Sequence, residues 1–415
     1  MNEISTDVLI IGSGGAGLRA AIEARRQGVN VLLISKSKTG LANCTASAMG
    51  AFRVSREEKG FATHLQETLE SGRFLNNRNL VKALLTKAWP AVRELETFGI
   101  QLRFETGKAS IITDRPPAGI ILSKALSNYA LSLGVKVLEK AIVFDLPVEG
   151  KRCLGALAFK KDTGETIAIS AKVVVLATGG YSRLYIRNDN PPRIAGDGLA
   201  LAFNAGAELQ DLEFVQFQPM FVDAGVPRMP ILDWLIEATK NLVAGGPLAN
   251  EEGERFLGKY RLLEQKILRD NLIVAIEREI LEKKERRDSV IFDLTTLSSE
   301  KIEGAFDSDF YKSLIRPLKQ ILSMKKLHIA SSAHYTMGGI RINEDCETGV
   351  EGLYAAGEVT GGIHGANRLG GNALTEIIVF GAIAGKQAAK YAKNARLSII
   401  TVSYTHLTLP TKRIV

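Results

Sequence analysis

A chain of 415 residues, 46% hydrophobic and 24% charged, holds enough apolar material for two domains and has the composition of a soluble α/β protein. Its net charge of +8 is dispersed as alternating signs, as along 277–287, which excludes a nucleic-acid-binding role and reads as a solvated surface that attracts anions. Three scattered cysteines, Cys44, Cys153 and Cys346, exclude a disulfide framework, show no metal-ligand spacing and fit a reducing compartment.

The first strand is expected over Asp7–Ile11, too early to leave room for a signal peptide. A helix from Leu18 to Gln27 follows, Gly28 ends it, and Val29–Ile34 gives the next parallel strand. The run Gly12-Ser-Gly14-Gly15-Ala-Gly17 therefore stands in a complete β-α-β unit, the context a dinucleotide site requires. Gly12 permits the tight turn, Gly14 lets backbone amides meet a pyrophosphate, and Gly17 allows close helix–strand packing. At the end of the second strand Ser35-Lys36 stands where Asp or Glu often takes the ribose hydroxyls.

Residues 135–177 alternate apolar and polar positions between turn signals at 148–150 and 162–164, which predicts a β-meander. It leads into Val173-Val-Val-Leu-Ala-Thr178-Gly179-Gly180, a buried strand ending in a glycine pair. A helix opens near Asp197, which reads either as an N-cap or as a cofactor-side residue. Residues 223–333 lose the β-α-β rhythm and carry charged helical patterns, so a first domain is expected over 1–222, a capping insertion over 223–333, and a return to the first domain over 334–396. Residues 397–415 read as a non-native tail, the alternative being an exposed edge strand. No run approaches the roughly 18 apolar residues of a membrane span, and a cytoplasmic protein without a direct membrane span is expected.

Residues 364–374, His-Gly-Ala-Asn-Arg-Leu-Gly-Gly-Asn-Ala-Leu, follow Gly352-Leu-Tyr-Ala-Ala-Gly357-Glu358 and precede Thr375-Glu376. With Phe214-Val-Gln-Phe-Gln-Pro219, Leu268-Arg-Asp270 and His334-Tyr-Thr-Met-Gly-Gly339, they resemble in order the signatures of the succinate dehydrogenase, fumarate reductase and L-aspartate oxidase flavoprotein family. The resemblance covers about residues 5–395. It implies an α/β fold, a Rossmann-like FAD-binding domain with a β-meander and an inserted α+β capping domain, and an active site between the two. A second glycine-rich unit and a Cys-x-x-x-x-Cys pair are both missing, which excludes disulfide-reductase chemistry. If the tail is foreign, the helical C-terminal domain usual in this family is absent.

The motif matches put Gly12, Gly14, Gly15, Gly17, Ser35, Lys36, Asn43 and Gly50 on the FAD, with Thr178, Gly179, Asp197, Gly357, Glu358, Asn372, Leu374 and Glu376. Asn43 falls, by count, where respiratory members attach FAD through histidine, so the FAD is expected to be noncovalent. His334 and Arg368 match the positions that hold and polarise one substrate carboxylate, and His364 is a further donor for an anion. The alternative for His334 is a satisfied histidine at a strand start, against which the six-residue match around it speaks.

Arg269 matches the family's proton-transferring arginine. At 100° per residue it falls with Leu262, Leu272, Ile273, Ile276 and Ile280 on one helix face, where a charge needs a partner or a task. Asp270, its neighbour in sequence, points elsewhere on a helix, and the alternative is an inter-domain bridge. Glu237-Ala-Thr-Lys240 matches the relay that feeds protons to that arginine, the alternative being an ordinary surface pair.

Gln218 stands where the family has a histidine gripping the second carboxylate, and Ile236 where it has a threonine. Losing a charge-assisted bond costs roughly 1.5–3 kcal/mol, which turns the expectation from fumarate towards a monocarboxylate or an amide. The expected function is an FAD-dependent oxidoreductase acting on CH–CH groups of a small carboxylic acid. L-Aspartate oxidation is the alternative reaction. An electron-transfer subunit dependent on an iron–sulfur partner is the alternative of another class.

Overall fold

The computed structural model describes residues 2–113, 117–223, 232–264, 267–282, 288–298, 300–301, 324 and 326–400. Most of the segment read as a tail, 401–415, lies outside the described residues. Its first part does not stand apart: Ile400 is buried against Leu157 and Ala168, and its amide donates to the Ser170 hydroxyl at 2.9 Å.

The first body is built on a sheet that starts with β1 (Asn2–Ile11), followed by the helix α1 (Gly15–Arg26) and β2 (Val31–Ile34). It continues with β3 (Lys136–Leu138), β4 (Ala141–Asp145), β5 (Gly155–Lys160) and β6 (Thr166–Leu176). The strand order is β3-β2-β1-β6-β5-β4. Pairing is parallel from β3 to β6, and antiparallel through the β6-β5-β4 meander. Val8, Leu9 and Ile10 are fully buried, as expected of a parallel strand covered on both faces. β1 begins at Asn2 and not at Asp7, because the eleven-residue β6 offers it partners from Ile167 onwards.

The second body holds an antiparallel sheet of β7 (Val215–Phe221), β8 (Leu248–Ala249), β9 (Val290–Asp293) and β10 (Lys326–Thr336), in the order β7-β10-β9-β8. The helix α2 (Arg269–Leu281) and the helix Leu232–Thr239 pack on it, around a core of Phe221, Ile236, Leu257, Leu272, Ile276 and Phe292. Strand β10 runs across the boundary expected at 333, and β7, although it lies wholly before the one expected at 222, starts against the first core at Val215 and ends in the second at Phe221.

Two late elements complete the first body: β11 (Leu353–Ala355), parallel to the end of β6, and the helix α3 (Asn372–Asn394). α3 lies closely on α1, since a Cβ at Gly381 would come within 2.7 Å of the Ala16 carbonyl oxygen. At Gly385 a Cβ would stand 2.2 Å from that of Ala20. Among the described residues, no helix is long and apolar enough to cross a membrane.

Candidate active site

The turn from β1 into α1 opens a cradle at the carboxyl end of the sheet. Gly12 has φ +115°, and a Cβ there would lie 2.2 Å from the Ala177 carbonyl oxygen. A Cβ on Gly17 would come within 1.9 Å of the Gly12 carbonyl, so the helix can seat this deeply only with glycine at both places. Gly14 is different, with no neighbour closer than Thr45 Oγ1 at 3.9 Å. Its open side faces the cavity at the amino end of α1, where the first-turn amides, that of Gly15 held by Thr45 Oγ1 at 3.0 Å, and the helix dipole favour a phosphate.

The cavity, of about 310 Å³, runs from this cradle to the second body. Its cradle end is lined by Gly12, Gly14, Gly15, Ser35, Lys36 and Asp197, and its middle by Asn43, Gly50, Thr178, Gly179, Gly357, Glu358 and Leu374. The Ser35 hydroxyl lies 2.7 Å from that of Ser13, and Lys36 pairs with Asp197. The N-cap of the helix at Asp197 is Gly196, at φ +79°, so Asp197 enters the first turn and is not the cap. Asn43 caps the short helix Cys44–Ser47 through the Ala46 amide at 2.9 Å. Burial pushes the Glu358 carboxyl up to about 7, partly offset by the Thr336 amide it accepts at 3.1 Å.

These residues suit FAD. The glycine turn admits a pyrophosphate, and the Thr178 hydroxyl is buried on the cavity wall with no partner of its own. Such an atom is waiting for a polar ligand.

At the far end stand Arg269, His334, Tyr335, Arg368 and Asp189. Arg368 is buried beneath the cavity wall, its guanidinium 4.5 Å from the centre of the Tyr335 ring. It donates to Gln216 Oε1 at 2.8 Å, and Arg269 reaches the same oxygen at 3.5 Å. One carbonyl oxygen thus aligns two guanidiniums. Burial, and then the charge of Arg269, brings the Arg368 pKa down to about 10. His334 Nδ1 lies 2.8 Å from Asp189 Oδ2; burial lowers the His334 pKa, and Asp189 opposes the shift.

Of the apolar face expected around Arg269, Leu272, Ile273, Ile276 and Ile280 do lie with it on α2, but Leu262 does not. Leu268 has extended geometry and is the N-cap, so α2 begins at Arg269 itself. Leu262 belongs to a preceding turn, in which its amide bonds to the Leu257 carbonyl, and its helical phase has no bearing on Arg269. The arginine owes its place to the helix start, and Asp270 beside it pairs with Arg73 of the first body.

Several expected site residues stand behind the cavity. Gln218 donates to Asp189 Oδ2 at 2.5 Å. His364 is enclosed, its Nε2 2.9 Å from Glu376 Oε2 and 3.2 Å from the Tyr335 hydroxyl, which itself donates to Glu376 at 2.7 Å. Asn372 links His64, at 2.8 Å, with Thr68, at 3.0 Å, and so pins the start of α3. Glu237 and Lys240 form an ion pair at 3.0 Å, and Glu237 accepts the Ile267 amide at 2.8 Å, two residues before Arg269.

The sequence reading passed over Gln216, Tyr335 and Asp189. The first two lie inside motifs already quoted and could have been found there as polar groups beside a charged ligand. Asp189 sits in the polar run Asn188-Asp189-Asn190, which carries no spacing signal.

Residues 7–374 match the FAD binding domain family. A fumarate reductase (CoM/CoB) chain of Methanothermobacter marburgensis is 34% identical, over 94% of this chain and 73% of its own. The 8-methylmenaquinol:fumarate reductase flavoprotein subunit of Wolinella succinogenes is 36% identical, over 97% of this chain and 68% of its own. Among solved structures, a mutated quinol fumarate reductase of Escherichia coli superposes with a TM-score of 0.81 at 28% identity, over 95% of this chain and 71% of that one.

Proposed function

The chain belongs to the FAD-binding flavoprotein family of fumarate reductase and succinate dehydrogenase and is an FAD-dependent oxidoreductase; from that premise we propose that it reduces the carbon–carbon double bond of a small unsaturated carboxylic acid. The observation that carries this reading is the convergence of Arg269 and Arg368 on Gln216 Oε1 at one end of the cavity. Bound FAD supplies the two-electron exchange. The residues of the chain do the rest.

Arg368 holds the substrate carboxylate. Its guanidinium is fixed by Gln216 and the Tyr335 face, so little freedom is lost on binding, and the anion replaces solvation that burial removed. The carboxylate draws electron density from the double bond, and Arg269, whose side chain reaches the cavity from the start of α2, delivers a proton from its guanidinium to the substrate carbon. Glu237 and Lys240 return that proton to Arg269, from a pair anchored to the backbone just upstream of it. The FAD is noncovalent in this reading, because Asn43 lacks a nucleophilic ring nitrogen and its side chain is engaged as a helix cap. Electrons come from an iron–sulfur partner subunit, since Cys44, Cys153 and Cys346 are too scattered to hold a cluster themselves.

The test is anaerobic. Protein with reduced FAD is expected to be reoxidised rapidly by fumarate or a related unsaturated acid, and Arg269→Ala to slow this by about 10²–10⁴-fold with FAD content unchanged. Failure of every such acid to reoxidise bound, reduced FAD would sink the reading. Peroxide and imine formed from L-aspartate in a separate assay under air, with dioxygen as the oxidant, would then replace it with amino-acid oxidation.

A further inference from the structure

We propose that Asp189 sets the substrate specificity of this site: it makes the surroundings of His334 a receptor for a hydrogen-bond-donating group, such as a carboxamide, in place of a second carboxylate. The inference rests on the reductase reading above and names its substrate class.

Asp189 lines the cavity although its side chain is only 9% exposed. Its Oδ2 lies 2.8 Å from His334 Nδ1 and accepts from Gln218 Nε2 at 2.5 Å, while Oδ1 accepts from Asn190 Nδ2 at 3.1 Å. Two chain segments distant in sequence, and the adjacent Asn190, are thus folded around one carboxylate. The donors of His334 and Gln218 that would greet an anion are turned towards Asp189 instead.

What remains for a ligand is mostly acceptor. With its Nδ1 proton directed at Asp189, a neutral His334 keeps a lone pair on Nε2. The second acceptor on the cavity wall is the Asp189 carboxylate itself, held from behind by Gln218. The positive charge of the site is carried by Arg269 and Arg368, which share Gln216 and whose charges are also felt by His334.

A carboxylate belongs on the guanidiniums, and a second carboxylate placed beside His334 would face Asp189 in surroundings of low dielectric, where like charges disfavour a ligand. An amide N–H in the same place would complete the hydrogen bonding of the acceptors. Discrimination of this kind, built on buried polar groups, is large compared with that available from shape alone.

The FAD-loaded protein would be titrated with succinate and with succinamate, its monoamide, and binding followed by calorimetry and by the flavin spectrum. Succinamate is expected to bind at least about tenfold more tightly, and Asp189→Asn to reduce that ratio by about tenfold or more, mainly through tighter succinate binding. Succinate binding as tightly as succinamate to the wild-type protein overturns the proposal, whatever the variant does. An unchanged ratio in a folded, FAD-bearing Asp189→Asn protein overturns it as well; Asp189→Ser serves if the Asn variant does not retain FAD. Reoxidation of the reduced protein by fumarate and by fumaramate separates the two readings. Rapid turnover with succinate preferred removes the role of Asp189 and leaves the reductase standing. A preference for succinamate with no turnover on either acid upholds Asp189 and removes the reductase.

Discussion

His64 is a buried imidazole far in sequence from the site it supports. Its Nε2 meets Asn372 Oδ1 at 2.8 Å, Asn372 in turn donates to Thr68, and burial lowers the His64 pKa to about 4. An unfolded chain takes up a proton on this residue as pH falls below about 6.5, whereas the folded protein resists until about pH 4. The stability this difference supplies is complete above pH 6.5 and is lost as pH drops towards 4, at most on the order of 3 kcal/mol. Urea unfolding at pH 7 and pH 5 is expected to show that loss in the wild-type protein and a smaller one in His64→Gln. A variant with an undiminished loss would assign the acid sensitivity elsewhere. The same scale explains what escaped the sequence. Arg368 and His334 were visible because they stand in motifs, but the carboxylate that orients His334 comes from residue 189, and only the tertiary fold brings it within 2.8 Å.

At the scale of elements, periodicity and punctuation served well where local rules decide. The β1–α1–β2 unit has the glycines its turn requires, and the strands of the meander lie between the expected turns. They served less well where a partner decides: β1 is longer than its apolar run because β6 is long, and α2 starts at Arg269 because Leu268 is extended, although the apolar spacing runs on upstream. The contact between α1 and α3 is another feature set by the partner. Gly381 and Gly385 stand on one face of α3, directly over the backbone of Ala16 and Ala20. Gly385→Ala would place a methyl group 2.2 Å from the Ala20 carbonyl and must push the helices apart, at a cost of about 1–3 kcal/mol. A lower melting temperature is expected together with a lower FAD-to-protein ratio, because α1 carries the phosphate-binding amides. Full FAD occupancy in a destabilised variant would show that the cradle does not depend on this contact.

For the molecule as a whole, the cavity is a joint product of two cores. The first body supplies the cradle, Asp189 and Arg368, and the second supplies Arg269 at the start of α2. The link between Arg73 and Asp270 crosses from one body to the other beside that arginine. Because strands β7 and β10 belong to both bodies, a boundary drawn in sequence cuts through the sheet that frames the site.

Strand β6 has a history during synthesis that the finished fold conceals. One edge of it pairs with β1 along its length, and the first half of the other pairs with β5 as soon as the meander is made, but the outer edge of Val174–Leu176 waits for Leu353–Ala355. Until a ribosome has delivered that late segment, the edge that leads to Ala177, against which Gly12 turns, is uncovered. Nascent chains halted before residue 353 are therefore expected to retain no flavin and to associate with holdase chaperones, while release of α3 and β11 allows capture of the cofactor. Stalled chains that already retained flavin would show that the cradle is made early. On that order of assembly the cofactor is a late arrival, captured only after β11 and α3 have been made.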